Sequence, residues 1–199
     1  IGFEGNPVSK IVLKSEHKII NFGSIVTELK KLNSKGYSHV LLVGNLNRPS
    51  LKEIKPDFNS LKLIPYFTKV LLEGGDNNIL SYSINYLNKI GFKIIDLRKL
   101  IPENFLGFGN QTKSKVPKKC LSDIEKGKKI LNRMSEFDIG QSLIIQQGNV
   151  IGIETASGTD KLIKHSHPIF TDGIKPILIK LSKVNQNLKV DLPTIGPFT

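Results

Sequence analysis

The chain is poor in most residues that advertise a function. Its 199 residues include one cysteine, one methionine and no tryptophan. A lone thiol, Cys120, excludes an internal disulfide and suits a reducing compartment, so the cytoplasm is the expected location. Apolar runs are far shorter than the roughly 20 residues a membrane-spanning helix needs, and neither end reads as a signal peptide. Arginine is scarce as well: Arg48, Arg98 and Arg133 are the whole set, although the formal net charge is +12. A nucleic-acid reader calls for arginine forks and stacking aromatics, so nucleic acid is not an expected partner. The lysine excess fits either an anionic partner, such as a membrane surface or a phosphorylated substrate, or the ordinary surface of a chain rich in Ile and Asn. No G-x-x-x-x-G-K-[ST] or G-x-S-x-G motif is present. His165 and His167, two apart, face different ways on a helix and read as surface residues.

What is present is an alternation of strand and helix signals. "KIVLK" (10–14) and "SHVLLVG" (38–44) read as strands, and Ile25, Val26, Leu29 and Leu32 between them recur at helical spacing, with Gly36 as the stop. The pattern returns in "NNILSYSINYLNKIG" (77–91), with a stripe of Ile79, Leu80, Ile84 and Leu87, followed by the strand "FKIIDL". Strand and helix in rotation imply a parallel sheet. From Gly107 to Cys120 the periodicity fails, which predicts a domain over 1–106, a linker over 107–121 and a second α/β domain over 122–199. In the latter, "SDIEKGKKILNRM" predicts a helix with Ser122 as N-cap and Glu125 completing a capping box. "QSLIIQQGNVIGIE" predicts a hairpin turning at Gly148 and Asn149, buried because both faces are apolar, and "KPILIKL" predicts a further strand. The chain opens at Ile1 and stops at "DLPTIGPFT", so it is expected to be a fragment truncated at both ends.

Four segments could carry chemistry. "ETASGTD" (154–160) crowds two carboxylates, three hydroxyls and a glycine into one break before a helix. Either Thr159 or Asp160 simply caps that helix, or Glu154 and Asp160 bind a divalent metal that prefers hard oxygen ligands, magnesium or manganese, while the Gly158 turn holds phosphate oxygens. "EGGDNNIL" (73–80) is either a turn with Asp76 as N-cap or a phosphate or ribose cradle at Gly74, Gly75 and Asp76. "GNLNRPSL" places Arg48 after a strand, as a surface residue or a forked phosphate contact. "DLPTIGP" opens with Asp191, which either completes a metal site or caps the preceding strand.

In this order, "GNLNRPSL" with "KPD", "EGGDNNIL", "DIGQSLIIQQGNVIGIETASGTD", "KPILIKLSK" and "DLPTIGP" resemble the LpxI-type UDP-2,3-diacylglucosamine pyrophosphatase family of lipid A biosynthesis, with 138–160 the most specific stretch. The resemblance covers most of the chain. It implies a Rossmann-like N-terminal domain, a distinct catalytic C-terminal domain, and hydrolysis of UDP-2,3-diacylglucosamine to UMP and 2,3-diacylglucosamine 1-phosphate. It also implies Mg²⁺ (or Mn²⁺) as cofactor and a cytoplasmic enzyme peripheral to the anionic inner-membrane surface, and it leaves room for a homo-oligomer. Asp160, Asp191 and Glu154 are then expected as metal ligands or water-orienting groups, and Thr159 as a catalytic hydrogen-bonder. Gln146, Gln147, Lys180 and Lys183 are expected at the substrate, with Arg48, Gly74, Gly75 and Asp76 holding nucleotide or pyrophosphate from the other domain. One departure stands out: residues 183–187 read "KVNQN" where the family reads "KPGQD", so Asn187 replaces an aspartate. The alternative reading, a nucleotide- or sugar-phosphate-binding protein without turnover, rests on that departure.

Overall fold

A computed structural model describes residues 1–196 apart from 7, 9, 11, 45–53, 62–67, 69–75 and 185. The chain divides into two units, Ile1–Asp96 and Leu97–Thr199.

In the first unit two pairs of very short strands run parallel: β1 (Gly2–Phe3) beside β2 (Ile19–Ile20), and β3 (His39–Val40) beside β4 (Lys93–Ile94). Helix α1 (Ile25–Ser34) follows β2, and α2 (Asp76–Lys89) leads into β4. The helical stripes do what their spacing predicts: Leu29, Leu87 and Phe92 form a core against which Ile25, Leu32, Val40 and Ile94 pack. Both helices stop at glycines in the left-handed region, Gly36 at φ 90° and Gly91 at φ 96°, where a side chain would be strained. This is a mixed α/β unit with small parallel sheets.

The strand expected at "KIVLK" is not seen in its described residues. Val12–Lys14 is a 3-10 turn, and Leu13 is exposed. The strands that do pair here, β1 and β2, are two residues each, too short for alternation to reveal. The strand expected over 38–44 contracts to the two residues of β3, whose partner β4 is equally short.

The second unit holds a three-stranded antiparallel sheet in the order β6–β5–β7: β5 (Ser142–Gln146) is central, flanked by β6 (Asn149–Ile153) and β7 (Ile177–Lys180). It is preceded by α3 (Leu97–Leu100) and α4 (Leu121–Ser135), and α5 (Thr159–Ser166) lies between β6 and β7. Strand alternation sends Leu143, Ile145 and Ile179 to one face, where they pack with Leu131 of α4. A Cβ at Gly127 would collide with Ile179 and Leu143, so α4 seats on the sheet through a residue with no side chain. On the opposite face Gly152 plays the same part for α5, because a Cβ there would meet Leu162 Cδ1 and Ser166 Oγ at 2.7 Å.

Three local expectations are corrected. The hairpin turns one residue earlier than expected: Gln146 pairs with Asn149, leaving Gln147 (φ 49°) and Gly148 (φ 80°) as the two turn residues. Only β5 is fully buried; β6 is an edge strand with Asn149 and Ile153 exposed. Ser122 is inside α4, because the 3-10 turn Lys118–Cys120 leads straight into the helix, and Glu125 pairs with Lys128 at 2.8 Å in place of a capping box. No described helix is long and apolar enough to cross a membrane.

Candidate active site

The register of the sheet builds the site. Ser142, the first residue of β5, pairs with Lys180, the last of β7, so their side chains leave the same face, the one covered by α5. β6 ends one residue short of Glu154, whose N–H still donates to the Ser142 carbonyl at 2.8 Å. A Cβ at Gly140 would lie 2.7 Å from the Glu154 carbonyl carbon and 3.0 Å from its Cβ, so the chain entering β5 passes directly over Glu154. The glutamate is thereby buried at the sheet edge and aimed at the start of α5.

The segment between them is a folded turn. Thr155 and Ser157 hydroxyls lie 3.1 Å apart, the Gly158 N–H donates to the Thr155 carbonyl at 3.0 Å, and Gly158 takes φ 88° as the N-cap. No side chain caps α5, so neither Thr159 nor Asp160 serves as the cap. Thr159, the first helical residue, turns inward and is buried, while Asp160 is exposed in the first turn, where a negative charge suits the helix dipole.

Thr159 is the hub of the cluster. Its Oγ1 donates to Glu154 Oε1 at 3.1 Å and accepts from Lys180 Nζ at 2.8 Å. Ser142 Oγ stands at 3.4 Å, a long contact. A hydroxyl has one proton to give and two lone pairs, so these three partners exhaust it. The other carboxylate oxygen of Glu154 accepts from the Gln141 N–H at 3.4 Å. Lys180 also donates to the Thr194 carbonyl at 2.9 Å. One ammonium thus ties the start of α5 to the "DLPTIGP" loop. Asp191, half-buried at the head of that loop, donates its N–H to the Asn187 carbonyl at 3.0 Å.

Not every expected residue converges here. Gln146 lies at the other end of β5, four residues and about 13 Å from Ser142, and Gln147 follows it in the turn. The Gln146 amide donates to the Thr171 and Ile174 carbonyls at 2.7 and 2.8 Å and accepts from Thr171 N–H and Oγ1 at 3.0 and 3.3 Å. Its full hydrogen-bonding capacity is spent holding that loop. Gln147 donates to the Asp172 carbonyl at 3.1 Å. Lys183 forms an ion pair with Asp138, a non-glycine residue at φ 55°. Arg48, Gly74 and Gly75 lie outside the described residues; Asp76 opens α2. The residues missed from sequence are Ser142 and Thr194. A serine opening the apolar run "SLIIQ" and a lysine closing "ILIK" were a legible pair, given the antiparallel register.

Three carboxylates were expected to share a metal. Among the described residues, no group of three or more His, Cys, Asp or Glu is placed to hold one. Glu154 is instead committed to Thr159 and Gln141. Mg²⁺ is commonly held by one or two carboxylates, with substrate phosphate oxygens and waters completing the shell, so the exposed Asp160 and the half-buried Asp191 suffice in number for it.

The fold and this cluster define a two-unit α/β protein with hydroxyl, ammonium and carboxylate groups gathered at one sheet end. Residues 1–104 match the LpxI N-terminal domain and residues 108–199 the LpxI C-terminal domain. The chain therefore belongs to the LpxI family. It is 29% identical over 185 residues to the UDP-2,3-diacylglucosamine pyrophosphatase LpxI of Caulobacter vibrioides, an alignment covering 89% of this chain and 64% of that protein. The chain spans less than two thirds of the length of this relative.

Proposed function

We propose that the protein hydrolyses the pyrophosphate bond of UDP-2,3-diacylglucosamine, releasing UMP and 2,3-diacylglucosamine 1-phosphate. Membership of the LpxI family supports the reaction, and the Thr159 cluster supports its location in the second unit. Water attacks one phosphorus, the bridging P–O bond breaks, and the departing phosphate carries away the electron pair. Lys180 uses two of its three N–H donors on Thr159 and Thr194, leaving the third for a phosphate oxygen. Asp160 and Asp191 are the groups to hold a divalent ion, Mg²⁺ or Mn²⁺, whose charge when bound would offset that developing on the phosphate oxygens. Glu154 keeps Thr159, and with it Lys180, in place. The first unit, with its parallel strands, is read as a Rossmann-like nucleotide-holding domain. The lone thiol Cys120 suits a cytoplasmic protein, and the +12 charge favours its docking peripherally on an anionic membrane, where a diacylated substrate resides.

The test is UMP release from UDP-2,3-diacylglucosamine by the full-length protein, with Mg²⁺ or EDTA, beside Asp160→Ala. Release that requires metal and disappears in a folded Asp160→Ala variant is expected. Metal-independent release would remove the ion from the reading, and release unchanged in the variant would move the ion site away from Asp160.

A second reading, substrate binding without turnover, is favoured by Asn187. Its carbonyl accepts from the Val190 and Asp191 N–H groups, and its Oδ1 accepts from the Lys189 N–H at 3.1 Å. An aspartate would offer the same acceptors, so the turn has no use for the amide as such, and the substitution removes a negative charge beside Asp191. Under this reading the protein binds UDP, releases no UMP, and gains release on Asn187→Asp.

A further inference from the structure

We infer that Lys180 is a positioning residue that fixes Asp191 relative to Asp160, an inference resting on the reading that these two aspartates serve the phosphate site. Lys180 ends a strand that is hydrogen-bonded along its length to the central β5, so its Cα is among the best-anchored positions near the site. From there its ammonium donates at 2.8 Å to Thr159, the residue before Asp160, and at 2.9 Å to the carbonyl of Thr194, three residues beyond Asp191. Between Asp191 and Thr194 stands Pro193, whose ring removes one backbone freedom, and the Thr194 hydroxyl donates back to the Leu192 carbonyl at 3.0 Å. At the other end the Asp191 N–H is held by the Asn187 carbonyl. A segment so short and stiff, tied at both ends, has little room to swing. Releasing the Thr194 tie leaves Asp191 held through its N–H to the Asn187 carbonyl but without the anchor three residues on. The same loss leaves Thr159 without its charged donor, so Asp160 and Asp191 lose their common reference together. A second lysine provides the comparison: Lys126 donates to the Gly148 carbonyl at 2.6 Å, a similar ammonium-to-carbonyl bond at the far end of the sheet.

The experiment compares wild type, Lys180→Met, Lys180→Arg and Lys126→Met in the full-length protein, reading hydrogen exchange at 191–196, kcat and KM for UMP release, and Mn²⁺ affinity by electron paramagnetic resonance. In Lys180→Met, exchange at 191–196 is expected to rise about tenfold or more while the hairpin 142–153 is unchanged. kcat should fall about a hundredfold, through misplaced groups and the lost phosphate contact together, so the loosened loop and weaker Mn²⁺ binding are the readouts that mark the positioning role. Lys180→Arg should recover part of both, and Lys126→Met should move neither. Unchanged exchange at 191–196, a loosened loop with intact kcat, or an equal kcat loss in Lys126→Met would each overturn the inference. If wild type releases no UMP, the proposed reaction fails and the inference is decided separately. About tenfold weaker Mn²⁺ binding in Lys180→Met together with the loosened loop upholds it, and equal binding refutes it.

Discussion

Replacing Gly140 by alanine should damage both stability and the site, for reasons that separate cleanly. Gly140 has φ 25°, and a Cβ there would meet the Glu154 carbonyl oxygen, well inside 3.0 Å, with the carbonyl carbon at 2.7 Å. The obstacle is backbone, which cannot rotate away as a side chain could. Left-handed backbone costs a non-glycine residue about 1–2 kcal/mol, and forcing apart packed atoms adds about 1–3 kcal/mol, so Gly140→Ala should destabilise the protein by about 2–5 kcal/mol. Gly148→Ala supplies the internal standard, because Gly148 sits at φ 80° with nothing within 4 Å of the would-be Cβ. It should cost only the strain, about 1–2 kcal/mol. Urea unfolding followed by circular dichroism measures the difference, and for a unit near this size each kcal/mol lowers Tm by about 4–8 °C. The UMP release proposed above should also be lost by the residual folded Gly140→Ala protein and kept by Gly148→Ala, since only the first displaces Glu154. Equal destabilisation by the two alanines would refute the close passage of the chain over Glu154.

Thr159→Val, which keeps shape and deletes the hydroxyl, should cost about 2 kcal/mol or more by leaving the buried Glu154 carboxylate short of a donor, with Thr159→Ser milder; urea midpoints decide this. Asp123 is buried on α4 and accepts from the Gly148 N–H at 2.9 Å, so Asp123→Ala should destabilise by about 1.5–3 kcal/mol while kcat of the surviving fold stays unchanged, as the bond lies at the far end of the sheet. Asp57 has its carboxyl held below the ordinary carboxylate range, first by the Thr27 hydroxyl and then by Ser60. A lowered folded pKa means that its contribution is present above about pH 4 and vanishes as pH falls through the folded value. Asp57→Asn should therefore be less stable than wild type near neutrality, and the gap should close by strong acid; a gap independent of pH would contradict the assignment.

The fold was legible where the signal was long. Helices α1, α2 and α4 each carry several apolar residues at helical spacing, and the antiparallel strands β5, β6 and β7 are four or five residues of mostly aliphatic sequence. It was illegible where elements are two residues long, as in the first unit, because pairing there depends on partners distant in sequence: Gly2 on Ile19, His39 on Lys93. The Ser122 cap failed for a related reason. A capping box is a local pattern, and the 3-10 turn before it had already begun the helix.

For the site, residue type could suggest chemistry but not spare capacity. Gln146 and Thr159 were both expected as hydrogen-bonding side chains at the site, and the structure exhausts the hydrogen-bonding groups of both on protein partners. Their difference lies in what those partners are. Gln146 holds only backbone and a threonine of one loop, so its work ends there. Thr159 holds a lysine with a donor to spare and a carboxylate, and stands next to an exposed aspartate. That also explains why the turn at 154–160 is crowded. Thr155, Ser157 and Gly158 fold the turn, while Glu154 and Thr159 form its buried floor, leaving Asp160 as the one carboxylate presented outward. A simple two-residue turn could reverse the chain, but it could not deliver a buried acceptor and an exposed charge to the two sides of a helix start.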